Sequence, residues 1–256
     1  MARRKAHPNY PNPTIAEALC ELHFKLADGV DWKSTLPGEV FKQIQGEFPE
    51  MEPVQEVSLG LDIGQRGAGT KALATTKTRF RFKHRDRPIL VQLSDQTFTL
   101  NALPRYPGWR TMAADLERLW ARISKIIQVS AITRIGLRYI NKVAKENPNQ
   151  PASDWFKESN FIPKDVLAAT GRIVCRVDVD RDAENRVIVT LGTQPADDAD
   201  EYGSFVLDID RIVQREIAID PRAVCSEADR LHDDAWGIFE SAKTERLERL
   251  LKKRPK

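Results

Sequence analysis

Cysteine is scarce: Cys20, Cys175 and Cys225 are the three in 256 residues. Thiols so few and so widely spaced exclude a disulfide framework and fit reduced side chains, so the expected location is cytoplasmic. Histidine is nearly as rare. His7, His23, His84 and His232 include no pair at metal-ligand spacing, which removes ordinary His-based zinc chemistry. No apolar run approaches the ~20 residues that span a bilayer. The basic start Met-Ala-Arg-Arg-Lys lacks the apolar core of a signal peptide, so no membrane association is expected. Gly67-x-Gly69 is too short for a phosphate loop and has no Lys-Ser/Thr behind it. No Ser-His-Asp or Cys-His arrangement can be inferred from spacing, and no cofactor is called for.

What remains is ordinary globular material: 41% hydrophobic and 30% charged residues, enough to bury a core. Ser130 to Val143 organises the chain. Ile135, Leu137 and Tyr139 alternate with Arg134, Gly136 and Arg138, the period of a half-buried strand. Ile15 to Leu26 shows the same pattern, with Leu22 and Phe24 on one face and Glu21, His23 and Lys25 on the other. Each strand is followed by a helix-like stretch, Trp32 to Phe48 and Trp155 to Ala169, then by further strands and a long helix. The long helices are expected at Gly108 to Gln128 and from Ser226 or Asp229 onward. The fold expectation is therefore α+β: antiparallel sheets with helices packed on one face, from a duplicated strand-helix-strands-helix unit. The predicted organisation is a flexible arm at 1–13, extended or poorly ordered, and two halves at 14–129 and 130–256 within one compact unit. Pro49 and Pro53 mark 49–56 as a connection, Gln65 to Thr70 as a hairpin tip, and Asp220-Pro221 as a turn.

Charge is distributed unevenly. Net charge is +3, with Lys and Arg in excess over the first 128 residues and Asp and Glu slightly in excess after them. Lys77, Arg79, Arg81, Lys83, Arg85 and Arg87 recur at every second position. On a strand this puts all six on one face, with Phe80 and Phe82 turned to the core. Such a face can track phosphates or meet an acidic protein surface. It also predicts that charge reversal at Arg79, Arg81 and Lys83 leaves the fold intact. Asp178, Asp180, Asp208 and Asp210 are the weaker candidates, as carboxylates on strand faces that could hold Mg²⁺. An acidic second half beside a basic first half also makes a homodimer an expectation.

Asn-Pro-Thr-Ile-Ala-Glu-Ala at 12–18, Asn-Ala-Leu-Pro-Arg-Tyr-Pro-Gly-Trp at 101–109 and Arg-Ile-Gly-Leu-Arg-Tyr-Ile-Asn at 134–141 resemble a sporadically distributed family of uncharacterised bacterial proteins. The resemblance covers nearly the whole chain and supplies no reaction. A scattered distribution implies mobile genes, often in defence or toxin–antitoxin neighbourhoods. Separately, Glu21-x-His23-x-Lys25 is similar to the Glu-x-Glu-x-Lys strand of triphosphate tunnel enzymes, with His23 replacing the second glutamate. The functional expectation is a non-enzymatic binding protein of a bacterial defence or toxin–antitoxin system. Its anionic partner would be a protein of the same operon or a nucleic acid, held on the basic sheet face. The alternative is a phosphate-handling, metal-dependent enzyme that uses the sheet carboxylates.

Overall fold

The computed structural model describes residues 7–62 and 71–254, with side chains described outside 56–62 and 71–77. The expected hairpin tip at 65–70 and the side chain of Lys77 lie outside the described residues. Among the described residues, nine strands form one antiparallel sheet. They are β1 (Ile15–Leu26), β2 (Glu50–Asp62), β3 (Lys71–Lys83), β4 (Ile89–Leu93), β5 (Thr97–Ala102), β6 (Val129–Ala144), β7 (Val174–Asp180), β8 (Asn185–Gln194) and β9 (Ser204–Val213). Their spatial order is β2-β3-β4-β5-β1-β6-β9-β8-β7. The two strands singled out by alternation, β1 and β6, pair along almost their full length at the centre, with Cys20 opposite Leu137 and Glu21 opposite Gly136.

Helices cover one face. They are α1 (Leu36–Ile44), α2 (Trp109–Ile126), α3 (Lys164–Ala168), α4 (Pro221–Ala242) and α5 (Glu245–Lys252). The alternating strands send Cys20, Leu22, Phe24, Phe98, Leu100, Ile135 and Leu137 into this layer, all buried. Phe41 of α1 stacks near Phe82 of β3, and Trp120 of α2 packs on Phe24 and Phe98. α2 and α4 pack on each other, and α4 also covers β6 and β9. The arm from His7 lies on α4 and α5. His7 stacks on Trp236 and bonds Asp233, and the backbone N–H of Asn12 donates to the carbonyl of Leu251.

Three expectations about elements are corrected. The stretch Trp155 to Ala169 is helical only at α3, because Pro163 at its N-cap position and the irregular chain before it forbid a longer helix. Trp155, Phe156, Ile162 and Leu167 are still buried, so the apolar residues read the core correctly and the element wrongly. The connection expected at 49–56 is largely strand. β2 is the sheet edge, where a proline that donates no ladder hydrogen bond is tolerated, and Pro53 sits opposite Phe80. Finally, Asp220-Pro221 begins α4. The Asp220 carboxylate accepts from the N–H of Ala223 at 3.0 Å, and Pro221 occupies the first helical turn. No helix among the described residues is long and apolar enough to cross a membrane.

A candidate anion-binding trough on the open sheet face

The alternate residues of the strands, which point away from the helices, meet no covering layer. Glu17, Glu21 and His23 of β1, Arg79 and Arg81 of β3, and Arg134 and Arg138 of β6 all belong to this set. They are partly exposed. Arg79 Nη1 donates to Glu21 Oε2 at 3.2 Å. These residues sit on strands separated by β4 and β5, about 14 Å apart at the backbone on a flat sheet. The two long side chains bridge that distance beside a cleft of about 450 Å³ with walls contributed by strands from β2 to β9.

The lining is polar. Four arginines, Arg79, Arg81, Arg134 and Arg138, meet three acids, Glu17, Glu21 and Asp210. Glu21 is the most heavily held. Its Oε1 accepts from Arg134 at 3.0 Å and lies 2.8 Å from His23 Nε2, and its Oε2 accepts from Arg79 and from Thr99 Oγ1 at 3.3 Å. Burial pushes the Glu21 carboxyl up. The His23 hydrogen bond and the charges of His23, Arg79 and Arg134 outweigh it and bring the carboxyl down to about 2. Arg134 reaches Glu21 by folding over Gly136. A Cβ on Gly136 would stand 3.5 Å from Arg134 Nη2, so a larger side chain there would compete with the guanidinium. Glu17 accepts from Asn101 Nδ2 at 2.5 Å, and Asn101 accepts in turn from Gln92.

Arg138 donates from Nε and Nη2 to Asp208 at 2.8 and 2.6 Å, a two-pronged pair. Its register partner on β9 is Asp210. Asp210 lines the cleft yet makes no hydrogen bond or ion pair among the described residues. Burial raises its carboxyl to about 6 against the lowering charges of Arg134 and Arg138, and Asp208 and Glu21 raise it further. Across the trough, Arg81 Nη1 donates to Glu52 at 3.3 Å, while its Nε is buried and has no hydrogen-bond partner.

The six-residue basic run therefore divides. Arg79, Arg81 and Lys83 share the open face, Lys83 donating to Glu52 at 3.1 Å. Arg85 and Arg87 do not join them, because β3 ends at Lys83 and strand alternation ends with it. Arg85 is exposed in the turn, and Arg87 bonds both oxygens of Asp115 on α2, in the helix layer. Arg134 and Arg138 were not singled out with the basic run. Their alternation on β6 carried the signal, but only the pairing of β6 with β1 brings them to the same cleft.

The acidic candidates do not converge. Asp178 is held by Arg186 at 2.6 and 2.7 Å, Asp180 lies 3.8 Å from the same arginine, and Asp208 is held by Arg138. In the register, Ile188 of β8 stands between Asp178 and Asp210. Among the described residues, no three His, Cys, Asp or Glu side chains are placed to share a metal ion. No family model matches the chain, and no curated protein matches it in sequence.

Proposed function

We propose that the protein is a non-enzymatic binding module that holds an anionic group of its partner in the trough of the open sheet face. The observation that carries this reading is the arrival of four arginines from two distant strands, β3 and β6, in one polar cleft. Guanidinium groups fork onto carboxylate or phosphate oxygens, and a half-enclosed cleft screens them less than a flat surface does. The defence or toxin–antitoxin setting and the cytoplasmic location belong to the same proposal, with a protein or nucleic acid encoded nearby as the partner. The buried thiols of Cys20 and Cys225 suit a reducing compartment.

We also infer that the chain is a duplication. From the central seam outward the first half runs β1, β5, β4, β3 and the second runs β6, β9, β8, β7. Each half carries a long helix after its strands, α2 or α4, and α5 follows α4. This arrangement supports a two-fold relation about the β1–β6 seam, with β2 as an added edge strand.

The test is fluorescence anisotropy with labelled single-stranded DNA, single-stranded RNA and poly-glutamate at low and raised salt. Binding that weakens steeply with salt and is lost in an Arg81→Ala/Arg138→Ala variant of unchanged circular dichroism supports the trough. Wild-type affinity in that variant for every probe would sink it.

A further inference from the structure

We propose that the trough takes an oxyanion accompanied by a hydrogen-bond donor, either hydrogen phosphate or a phosphate flanked by a hydroxyl as in a ribonucleotide, and that Asp210 enforces this choice. The inference rests on the trough reading and adds the class of ligand to it. Two side chains that line the cleft carry it. Arg81 Nε is a buried donor without an acceptor. Asp210 is an acceptor without a donor, although Arg138 stands opposite it in the ladder, because Arg138 gives its Nε and Nη2 to Asp208. The other two acids of the lining are already satisfied, Glu17 by Asn101 and Glu21 by two arginines, His23 and Thr99.

A ligand that offers only lone pairs, such as sulfate, satisfies the arginines and leaves the Asp210 carboxylate facing a like charge. A ligand with an O–H satisfies both sides, since that O–H donates to Asp210 while its remaining oxygens accept from guanidinium groups. Hydrogen phosphate has such an O–H, and a ribose 2′-hydroxyl beside a 3′-phosphate supplies one from the sugar. The discrimination depends on Asp210 being ionised. The charged groups that act on it are Arg134 and Arg138 of β6, Asp208 of its own strand, Glu21 of β1 and Arg186 of β8. His23, bonded to Glu21 and Arg134, is a further titratable group on this side. Burial, offset in part by Arg134 and Arg138, places the Asp210 carboxyl at about 6. At pH 8 it is a carboxylate and rejects donor-free anions. At pH 5 it is protonated, becomes a donor itself, and loses its objection to them.

The experiment is isothermal titration calorimetry of the full chain at pH 8 and pH 5. The ligands are inorganic phosphate, methyl phosphate, sulfate, adenosine 3′-phosphate and its 2′-deoxy counterpart. At pH 8 inorganic phosphate should bind more than about ten-fold more tightly than sulfate or methyl phosphate; at pH 5 the preference over sulfate, which carries no O–H at either pH, should shrink to within about two-fold. Asp210→Asn, whose amide both donates and accepts, should abolish the preference at both pH values. Tighter binding of the ribonucleotide than of its deoxy counterpart places the donor on the sugar. Equal binding of the two, below inorganic phosphate, places it on the phosphate. If sulfate and methyl phosphate match inorganic phosphate at pH 8 while Arg81→Ala/Arg138→Ala weakens all of them, the trough stands and the role of Asp210 is overturned. If none of these anions binds, the ligand class proposed here falls and poly-glutamate binding decides the trough; if the arginine variant binds them all as the wild type does, both readings fall.

Discussion

Among single residues, the part of the site on one strand was readable and the part made by convergence was not. Alternation places Arg79, Arg81 and Lys83 on the face opposite Phe82, and Phe82 is fully buried as that period requires. The same rule failed at Arg87, where the strand had already turned and the side chain found Asp115 instead. Glu21 shows what a linear reading misses. Its partners Arg79 and Arg134 lie 58 and 113 positions away in the chain, and no local spacing encodes that meeting. One consequence corrects the expectation that charge reversal on this face is harmless. Arg79→Glu should set a carboxylate against Glu21 and cost stability, whereas Lys83→Glu should meet only the exposed Glu50 and the half-buried Glu52. A second consequence is a pH signature. The Glu21 carboxyl stands at about 2 in the fold against an ordinary 4.5. Its stabilisation is therefore complete above about pH 4.5 and lost as pH falls toward 2. Glu21→Gln should be less stable than the wild type at pH 7 by up to about 3 kcal/mol. The two proteins' denaturant midpoints should draw together between pH 4.5 and 2. A gap that persists unchanged at pH 2 would show that packing or hydrogen-bond geometry, and not charge, is what the substitution disturbs.

Elements were legible where period and length agreed. β1, β6 and α2 fall within a residue or two of the ranges read from alternation or helical spacing. Proline misled the reading in both directions. At Pro53 it suggested a connection where the chain is strand, since an edge strand has a ladder on one side only. Within Trp155 to Ala169 the apolar spacing outweighed Pro163 and suggested a helix that cannot pass it. Gly203 illustrates a constraint that spacing cannot reveal. It opens β9 after the acidic loop at 195–202 with φ +77°, and a Cβ there would stand 2.3 Å from the carbonyl oxygen of Gln194. Neither an L side chain nor a shift of that β8 carbonyl is cheap, because the backbone strain alone costs about 1–3 kcal/mol. Gly203→Ala should lower the melting temperature by several degrees and loosen the loop that Lys142 ties down through Asp197 and Asp200. Amide hydrogen exchange across 195–206 would register this. Unchanged protection and melting would mean that the loop re-forms around the methyl group.

For the molecule as a whole, the two halves share one sheet and one helix layer, so the boundary at 129/130 divides the sequence without dividing the core. β1 and β6 are central strands only because each pairs with the other. Separated, each becomes an edge with a full row of unpaired backbone groups. The helix layer crosses the same line. α2 of the first half packs on α4 of the second, Trp109 donates from Nε1 to Asp229 at 2.7 Å, and Trp120 donates from Nε1 to the carbonyl of Ile219 at 3.0 Å. The arm returns from the N-terminus to cover α4, stacking His7 and Tyr10 on Trp236. Cutting at residue 129 would expose Leu22, Ile135 and Trp120, each fully buried in the intact chain. The anion-binding trough would be divided too, with Arg79 and Arg81 on one piece and Arg134 and Arg138 on the other. The expectation is one cooperative unfolding transition for the whole chain, with fluorescence and circular dichroism midpoints that coincide. The fragments 14–129 and 130–256, expressed separately, should lack the cooperative transition and should bind exposed-surface dyes. Mixed or co-expressed, they should reassociate along the β1–β6 seam and recover the far-ultraviolet spectrum of the intact protein. A fragment that melts cooperatively by itself, with a midpoint near that of the full chain, would show that the seam joins two finished domains and would remove the shared core from the account.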